Sequence, residues 1–201
     1  MRIHAKDITK KFGKQKIINT FSYVFEPNTN YIISGANGSG KTTLLKIISL
    51  WMEPNHGKII WEENGVQLKK KSEYELSFAA PYIDLSETSS VREIINVHFQ
   101  SKKTITPLQE IFEIPFVKNN IDKWFRDLSS GMKQKLKLIL ALFSKVQVYL
   151  LDEPTSNLDS DSIEEYKNWI QELPKNRILI IATNSLTDFD FLEKNVPLKM
   201  G

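Results

Sequence analysis

The sequence predicts an α/β fold: a mostly parallel sheet with helices on both faces. Three observations predict it. Short, near-continuous apolar runs, NYIISG at 30–35, VQVYLLDEP at 146–154 and RILIIATN at 177–184, have the composition of central parallel strands. Segments with apolar residues at helical spacing alternate with these runs, and such alternation builds a parallel sheet wrapped by helices. The chain has 201 residues, 41% of them hydrophobic and 25% charged, enough for one domain with a substantial core or a small two-lobed one.

Each element follows in order. RIHAKDI at 2–8 and FSYVFEP at 21–27 alternate apolar and polar residues as strands do, and Pro27 ends the second. NYIISG stops at a glycine-rich turn, after which Leu44, Ile47, Ile48 and Trp51 share one helix face. GKIIW at 57–61 reads as a strand entered through a Pro-Asn-His-Gly turn, and ELSFAA at 75–80 as a buried strand. SSVREIINVHF reads as a helix with Ser90 and Glu93 as its capping box, and Thr106-Pro107 opens a short helix with Gln109 at the third position. From about Ser90 to Asn120 the pattern is helical and lacks strands, which suggests a small helical lobe inserted in the α/β core. In FRDLSSGMKQKLKLILALF at 125–143, Met132, Leu136, Ile139, Leu140 and Phe143 form an amphipathic stripe behind a Ser-Ser-Gly tip. Ile163, Tyr166, Ile170 and Leu173 mark a further helix.

Composition removes several function classes. The net charge of +3 is too slight to argue for nucleic acid. The absence of cysteine excludes disulfides and thiolate metal sites. No apolar run approaches the roughly 20 residues of a spanning helix, and the charged, alternating MRIHAKDITKKF is unlike a signal peptide. The expectation is an intracellular soluble protein; for work at a membrane, another chain must supply the spanning part.

Two motifs carry chemistry. GANGSGKTT at 35–43 fits G-x-x-x-x-G-K-[ST] through Thr42, between a strand and a helix. Its glycines let backbone N–H groups turn inward around phosphate oxygens, and the helix N-terminus adds partial positive charge. Lys41 would reach the β- and γ-phosphates and the Thr42 hydroxyl would ligate Mg²⁺. The bland alternative is a glycine-rich turn. In VYLLDEPTSNLD, Asp152 ends a buried apolar strand, where a carboxylate is costly unless it meets a cation such as the Mg²⁺ of a nucleotide. Glu153 follows at the strand's carboxyl end, where such sheets place ligands, and can polarise or deprotonate an attacking water. Its alternative is a strand-ending turn with solvated acids.

The order GANGSGKTT, LSSGMKQ, LLDEPTSNLD resembles the ATP-binding subunit of an ATP-binding cassette (ABC) transporter, from about Ile3 to Asn184. The resemblance implies a P-loop NTPase core with a mostly parallel sheet, an N-terminal antiparallel β subdomain and a helical subdomain at about 85–145, in one domain spanning 1–201. It implies ATP and Mg²⁺ as cofactors, held by Gly35, Asn37, Gly38, Ser39, Gly40, Lys41, Thr42 and Thr43, with Thr42 and Asp152 at the metal and Glu153 and Asn184 catalytic. Phe12 would stack on adenine; otherwise it is an ordinary core or surface phenylalanine. The tip residues Ser129, Ser130 and Gly131 would contact the γ-phosphate of ATP held by the opposite subunit, while Ser129 or Ser130 can also simply cap the helix. Ser156 to Asp159 is similar to the family's D-loop, which crosses the dimer interface, and Asp159 could equally cap the next helix.

The chain departs from the family pattern at three places. LSSGM stands where the family has LSGGQ, so Ser130 replaces a glycine, a modest cost if that position needs φ > 0, and Met132 replaces glutamine. Pro81 stands where the family carries a glutamine, with Tyr82 and Asp84 as nearby substitutes. Thr183-Asn184 stands for Thr-His; asparagine can donate to a phosphate oxygen but cannot become cationic, or it starts the turn before SLTDF. These departures bear on rate more than on binding.

The resemblance implies a cytoplasmic ATPase subunit, peripheral on the inner face of the cell membrane. Its partners would be a second ATPase subunit and an integral membrane permease, without direct nucleic-acid binding. The compact length and GKIIW are similar to subunits of export systems, including the heme-exporter kind. Two other readings stay open: a soluble ABC ATPase acting on ribosome or nucleic acid, and a regulatory cassette with little turnover of its own.

Overall fold

The computed structural model describes residues 1–68 and 76–200. Gly201, the end of the expected domain, and Glu75, the start of the expected ELSFAA strand, lie outside the described residues. In chain order the elements are β1 (Arg2–Phe12), β2 (Gln15–Phe25), β3 (Thr29–Ser34), α1 (Lys41–Ile48), β4 (His56–Glu63), β5 (Val66–Gln67) and β6 (Leu76–Ala79). There follow α2 (Val91–Ser101), α3 (Leu108–Glu113), α4 (Pro115–Asn120), α5 (Ser130–Leu142), β7 (Val148–Asp152), α6 (Ser160–Gln171), β8 (Ile178–Ala182) and β9 (Val196–Lys199).

The central sheet has the order β6-β7-β8-β3-β9 and every pair in it is parallel. Its strands read as continuous apolar runs because both faces are covered. Val148 and Leu150 of β7 and Ile178 and Ile180 of β8 point to one core, while Tyr149, Leu151, Leu179 and Ile181 point to the other. This is the period-2 alternation of a strand put to use on both sides. Helices α5 and α6 cover the second face through Leu138, Ala141, Leu142, Tyr166 and Ile170.

The first face departs from a cover of helices alone. Helix α1 shares it with an antiparallel sheet of order β2-β1-β4-β5, whose Ile3, Ala5, Ile8, Phe25 and Trp61 join Leu44, Leu45, Ile47 and Ile48 in one core. That sheet is the N-terminal antiparallel subdomain of the P-loop NTPase arrangement. A third core, with Val91, Ile95, Ile111, Val117, Phe125, Leu136 and Ile139, holds α2 to α4 against α5. Among the described residues no helix is long and apolar enough to cross a membrane.

Several local expectations shift. Trp51 does not extend the buried face of α1: the helix ends at Ile48, Leu50 turns with φ 60, and Trp51 is left exposed with its ring 5.0 Å from that of Phe78. Pro107 stands at the N-cap of α3 rather than inside it, because its ψ of 137° is extended. The Thr106 hydroxyl there bonds the Glu110 carboxylate instead of pairing with Gln109. The Ser90–Glu93 capping box of α2 forms in full. Strands β5 and β9 had no legible signal: β5 has two residues, and β9 contains Pro197, tolerated because it is an edge strand.

Candidate functional site

The site is built where β3 hands the chain to α1. The connecting loop turns through Gly38 and Gly40, whose φ angles of 82° and 99° lie in the left-handed region that favours glycine. Ser39 N–H bonds Ala36 C=O at 3.0 Å, and Leu44 N–H bonds Gly40 C=O at 2.8 Å to start the helix. Lys41 is buried, and its Nζ folds back onto the carbonyls of Gly35 (2.7 Å) and Ala36 (3.4 Å). In front lies an open cavity of about 410 Å³ lined by Phe12, Asn37, Lys41, Thr42, Thr43 and Glu153 among others. Phe12 is 49% exposed, so it belongs to no core and offers a ring face at the cavity's rim.

Asp152 sits at the end of β7, 2% exposed. The Thr42 hydroxyl donates to its Oδ2 at 2.6 Å, while its Oδ1 is buried without a hydrogen-bond partner. Burial pushes the Asp152 carboxyl above the usual range and Glu153 adds to the push; the Thr42 and Tyr82 hydroxyls and the Lys41 ammonium act against it. A buried carboxylate with a spare oxygen, touching a hydroxyl, fits a hard divalent cation that takes its remaining ligands from phosphate and water. Among the described residues there is no group of three or more His, Asp or Glu side chains that could hold a metal ion. Glu153 stands just outside, exposed, with φ 44 and its N–H bonded to Ala182 C=O at 2.9 Å.

The segment that lacks the family's glutamine runs beside this carboxylate. Pro81 contributes only its carbonyl, which accepts from Lys137 Nζ at 2.6 Å. Asp84 is exposed and its charge acts on Lys137. Of the two, Tyr82 is the one beside Asp152: Lys46 Nζ lies 4.1 Å from its ring centroid, and burial together with the charge of Asp152 pushes its phenol well above its usual value.

Asn184 does more than start a turn. Its Oδ1 accepts from Gly35 N–H at 3.3 Å and its Nδ2 donates to Asn37 Oδ1 at 3.1 Å, so the side chain braces the phosphate loop. Nearby, sequence reasoning missed Asp188. This acid is 1% exposed, and its carboxylate accepts from Thr155 N–H at 3.0 Å and from the Thr183 hydroxyl. Its only sequence signal is an acid shortly after a strand end, which is commonplace.

The Ser-Ser-Gly tip lies elsewhere. Ser129 is the N-cap of α5, its hydroxyl accepting from Met132 N–H at 3.2 Å. Ser130 is the first helical residue and has no positive φ, so the expected backbone cost of replacing glycine does not arise. Gly131 is needed for another reason: a Cβ there would stand 2.4 Å from the carbonyl oxygen of Asn157. Asp159 caps α6 by accepting from Ser162 N–H at 2.8 Å, and the Ser162 hydroxyl, with that N–H, holds its carboxyl below the usual range. Between Asp159 and the acidic turn at Glu153, Ser156 N–H bonds Glu153 C=O at 3.1 Å. The tip lines a cavity of about 290 Å³ with Asn157 and Asp159, and the phosphate-loop cavity shares none of those residues.

A family model described as ABC transporter matches residues 18–156. The chain is similar to the bacitracin transport ATP-binding protein BcrA of Bacillus licheniformis, 28% identical over 199 residues, covering 96% of this chain and 65% of that protein. It is also similar to the nisin transport ATP-binding protein NisT of Lactococcus lactis subsp. lactis, 30% identical over 222 residues, covering 94% of this chain and 36% of that protein. The chain thus spans less than two thirds of the length of both relatives. In fold it matches the dimeric post-hydrolysis structure of the ATP-binding cassette MJ0796 bound to ADP and Pi, with a TM-score of 0.80 at 19% identity, over 99% of this chain and 95% of that one.

Proposed function

The chain belongs to the ABC transporter family, and from that membership we propose that it is the ATP-binding and ATP-hydrolysing motor subunit of a transporter. The observation that carries the reading is the contact of Thr42 with Asp152 at 2.6 Å, which leaves a buried carboxylate oxygen unpartnered beside a glycine-turned loop. Bound Mg²⁺ would neutralise phosphate charge at that pair. Lys41 would exchange its carbonyl contacts for the β- and γ-phosphates, the loop's N–H groups and Thr43 would hold phosphate oxygens, and Phe12 would stack on the base. Glu153, exposed at the cavity's mouth, would orient and deprotonate the attacking water. Asn184 would hold the loop from the far side and offer one hydrogen bond toward the γ-phosphate.

The remaining parts need a second chain. The tip formed by Ser129, Ser130 and Gly131 faces its own cavity, so it would meet the phosphate only of ATP bound to another ATPase subunit, with Ser156 and Asp159 at the crossing. ATP binding then favours the closed pair, since only that state offers both halves of each site. A separate membrane permease would convert closure and reopening into substrate movement, with this chain on the cytoplasmic face of the membrane. Export is the direction toward which the likeness of GKIIW to subunits of export systems leans, and the membrane subunit would set it.

A second reading, a regulatory cassette of low turnover, is favoured by the engagement of Asn184 with Asn37 and Gly35. Steady-state ATP turnover by the purified protein that vanishes in Glu153→Gln excludes it. The transport reading is tested by co-purifying tagged Glu153→Gln from detergent-solubilised membranes with Mg-ATP present. A stoichiometric multi-span membrane protein is expected. Ribosomal proteins or nucleic acid in its place, with no membrane chain, overturn it.

A further inference from the structure

We propose that Asp188 is a positioning residue that staples the Glu153 loop to the Asn184 loop, setting where the water-activating carboxylate stands; this rests on the ATPase reading of the same site. Both carboxylate oxygens are used. Thr155 N–H, two residues past Glu153, donates to Oδ1 at 3.0 Å, and the hydroxyl of Thr183, the residue before Asn184, donates to Oδ2. Ser185 N–H then donates to the same Thr183 oxygen at 2.8 Å, which fixes the backbone on the far side of Asn184. The fully buried Tyr166 hydroxyl donates to the Asp188 carbonyl at 2.9 Å and ties the staple to α6.

The chemistry of the group argues for this role. A carboxylate buried to 1% exposure is costly, and among the described residues Asp188 has no Lys, Arg or His within ion-pair distance. Two donors converge on it from two loops, and only a carboxylate offers two acceptor oxygens in one plane; an amide of the same shape offers one. Glu153 needs such an anchor. Its own carboxylate makes no hydrogen bond among the described residues, and its backbone is held at φ 44, a conformation that costs a non-glycine residue about 1–2 kcal/mol. Where its side chain points is therefore decided by the backbone on either side, through Glu153 N–H to Ala182 C=O at 2.9 Å and Thr155 N–H to Asp188. The first contact ends on the last residue of β8 and the second on the turn that follows it.

The test is Asp188→Asn in the full chain, read by equilibrium Mg-ATP binding, steady-state turnover, and amide hydrogen exchange of peptides spanning residues 153–158. We expect kcat to fall at least about 10-fold, Kd to stay within about 2-fold, and exchange in that peptide to accelerate while the rest of the chain is unchanged. Thr183→Val should reproduce the loss of kcat, and Thr183→Ser, which keeps the hydroxyl, should preserve it. Should Asp188→Asn fail to fold, the Thr183 pair decides alone. The staple is overturned if kcat stays within about 2-fold of wild type, or if kcat and Kd worsen together in step with a lowered melting temperature. A wild-type chain that binds ATP without turning it over sinks the ATPase reading instead. The exchange readout then still judges the staple, and unchanged exchange at residues 153–158 overturns it.

Discussion

Two loops of this chain bring a glycine-bearing turn to the N-terminus of a helix: residues 35–40 in front of α1, and residues 129–131 at the head of α5. In the first, the ammonium of Lys41 and the hydroxyl of Thr42 line one cavity, and behind them Thr42 touches the buried Asp152 carboxylate, one oxygen of which is unpartnered. In the second, a serine of the same loop already accepts from one of the helix's orphan N–H groups, that of Met132, and Gly131 is pressed against Asn157 of the same chain. The cations behind that tip are also spoken for, Lys133 by Glu87 and Lys135 by Glu165. A helix dipole is common to both loops, so the dipole does not distinguish them. What distinguishes them is the side chains gathered around the turn: the first has a buried ammonium and a carboxylate oxygen left without a partner, and the second has a serine cap and cations already paired.

The largest effect that could break this contrast is at Glu153. Glu153→Gln should lower kcat by about 10³-fold in a phosphate-release assay while leaving Mg-ATP affinity near wild type. A variant that keeps its turnover places the water-activating group elsewhere. Next is Lys41→Ala, expected to weaken Mg-ATP binding by about 100-fold in calorimetry, since it removes the buried ammonium that lines the cavity. Retained affinity would mean that the first loop needs no charge, and the two tips would be alike after all.

Gly131→Ala sharpens the other half. A Cβ 2.4 Å from the Asn157 oxygen forces the two loops apart, at about 1–3 kcal/mol by the usual cost of overpacking. The melting temperature should drop by several degrees, about 2–4 °C per kcal/mol in a chain of this size. ATP-driven pairing, followed by light scattering, should be lost before single-chain ATP affinity changes. Smallest is Ser130→Gly. Because Ser130 is helical, restoring the family glycine should shift stability by less than about 1 kcal/mol, and downward. A clear gain in turnover instead would show that the serine obstructs the partner's nucleotide.

How legible each part was follows from how local its cause is. β3, β7 and β8 could be read because burial on both faces writes itself into consecutive residues. The glycine turn between β3 and α1 could be read because its signal lies within nine consecutive residues, GANGSGKTT. The role of Gly131 could not, since its reason is a carbonyl in the loop before α6. Asn184 braces residues 147 and 149 positions away, and Asp188 receives Thr155 from 33 positions away; no window of sequence contains both ends. Trp51 misled for the opposite reason: its spacing was right, but a left-handed Leu50 ended the helix before the pattern did.

Helix α5 belongs to two bodies at once. Leu136, Ile139 and Leu140 fasten one stripe of it into the helical lobe, and Leu138, Ala141 and Leu142 fasten the other against the central sheet. From between the two stripes Lys137 donates to the Pro81 carbonyl, next to the tyrosine that faces Asp152. A rod about 20 Å long, keyed into both masses, behaves as a crankshaft. A displacement at the head of α5 therefore has a single helix to pass along before it reaches the segment beside Asp152.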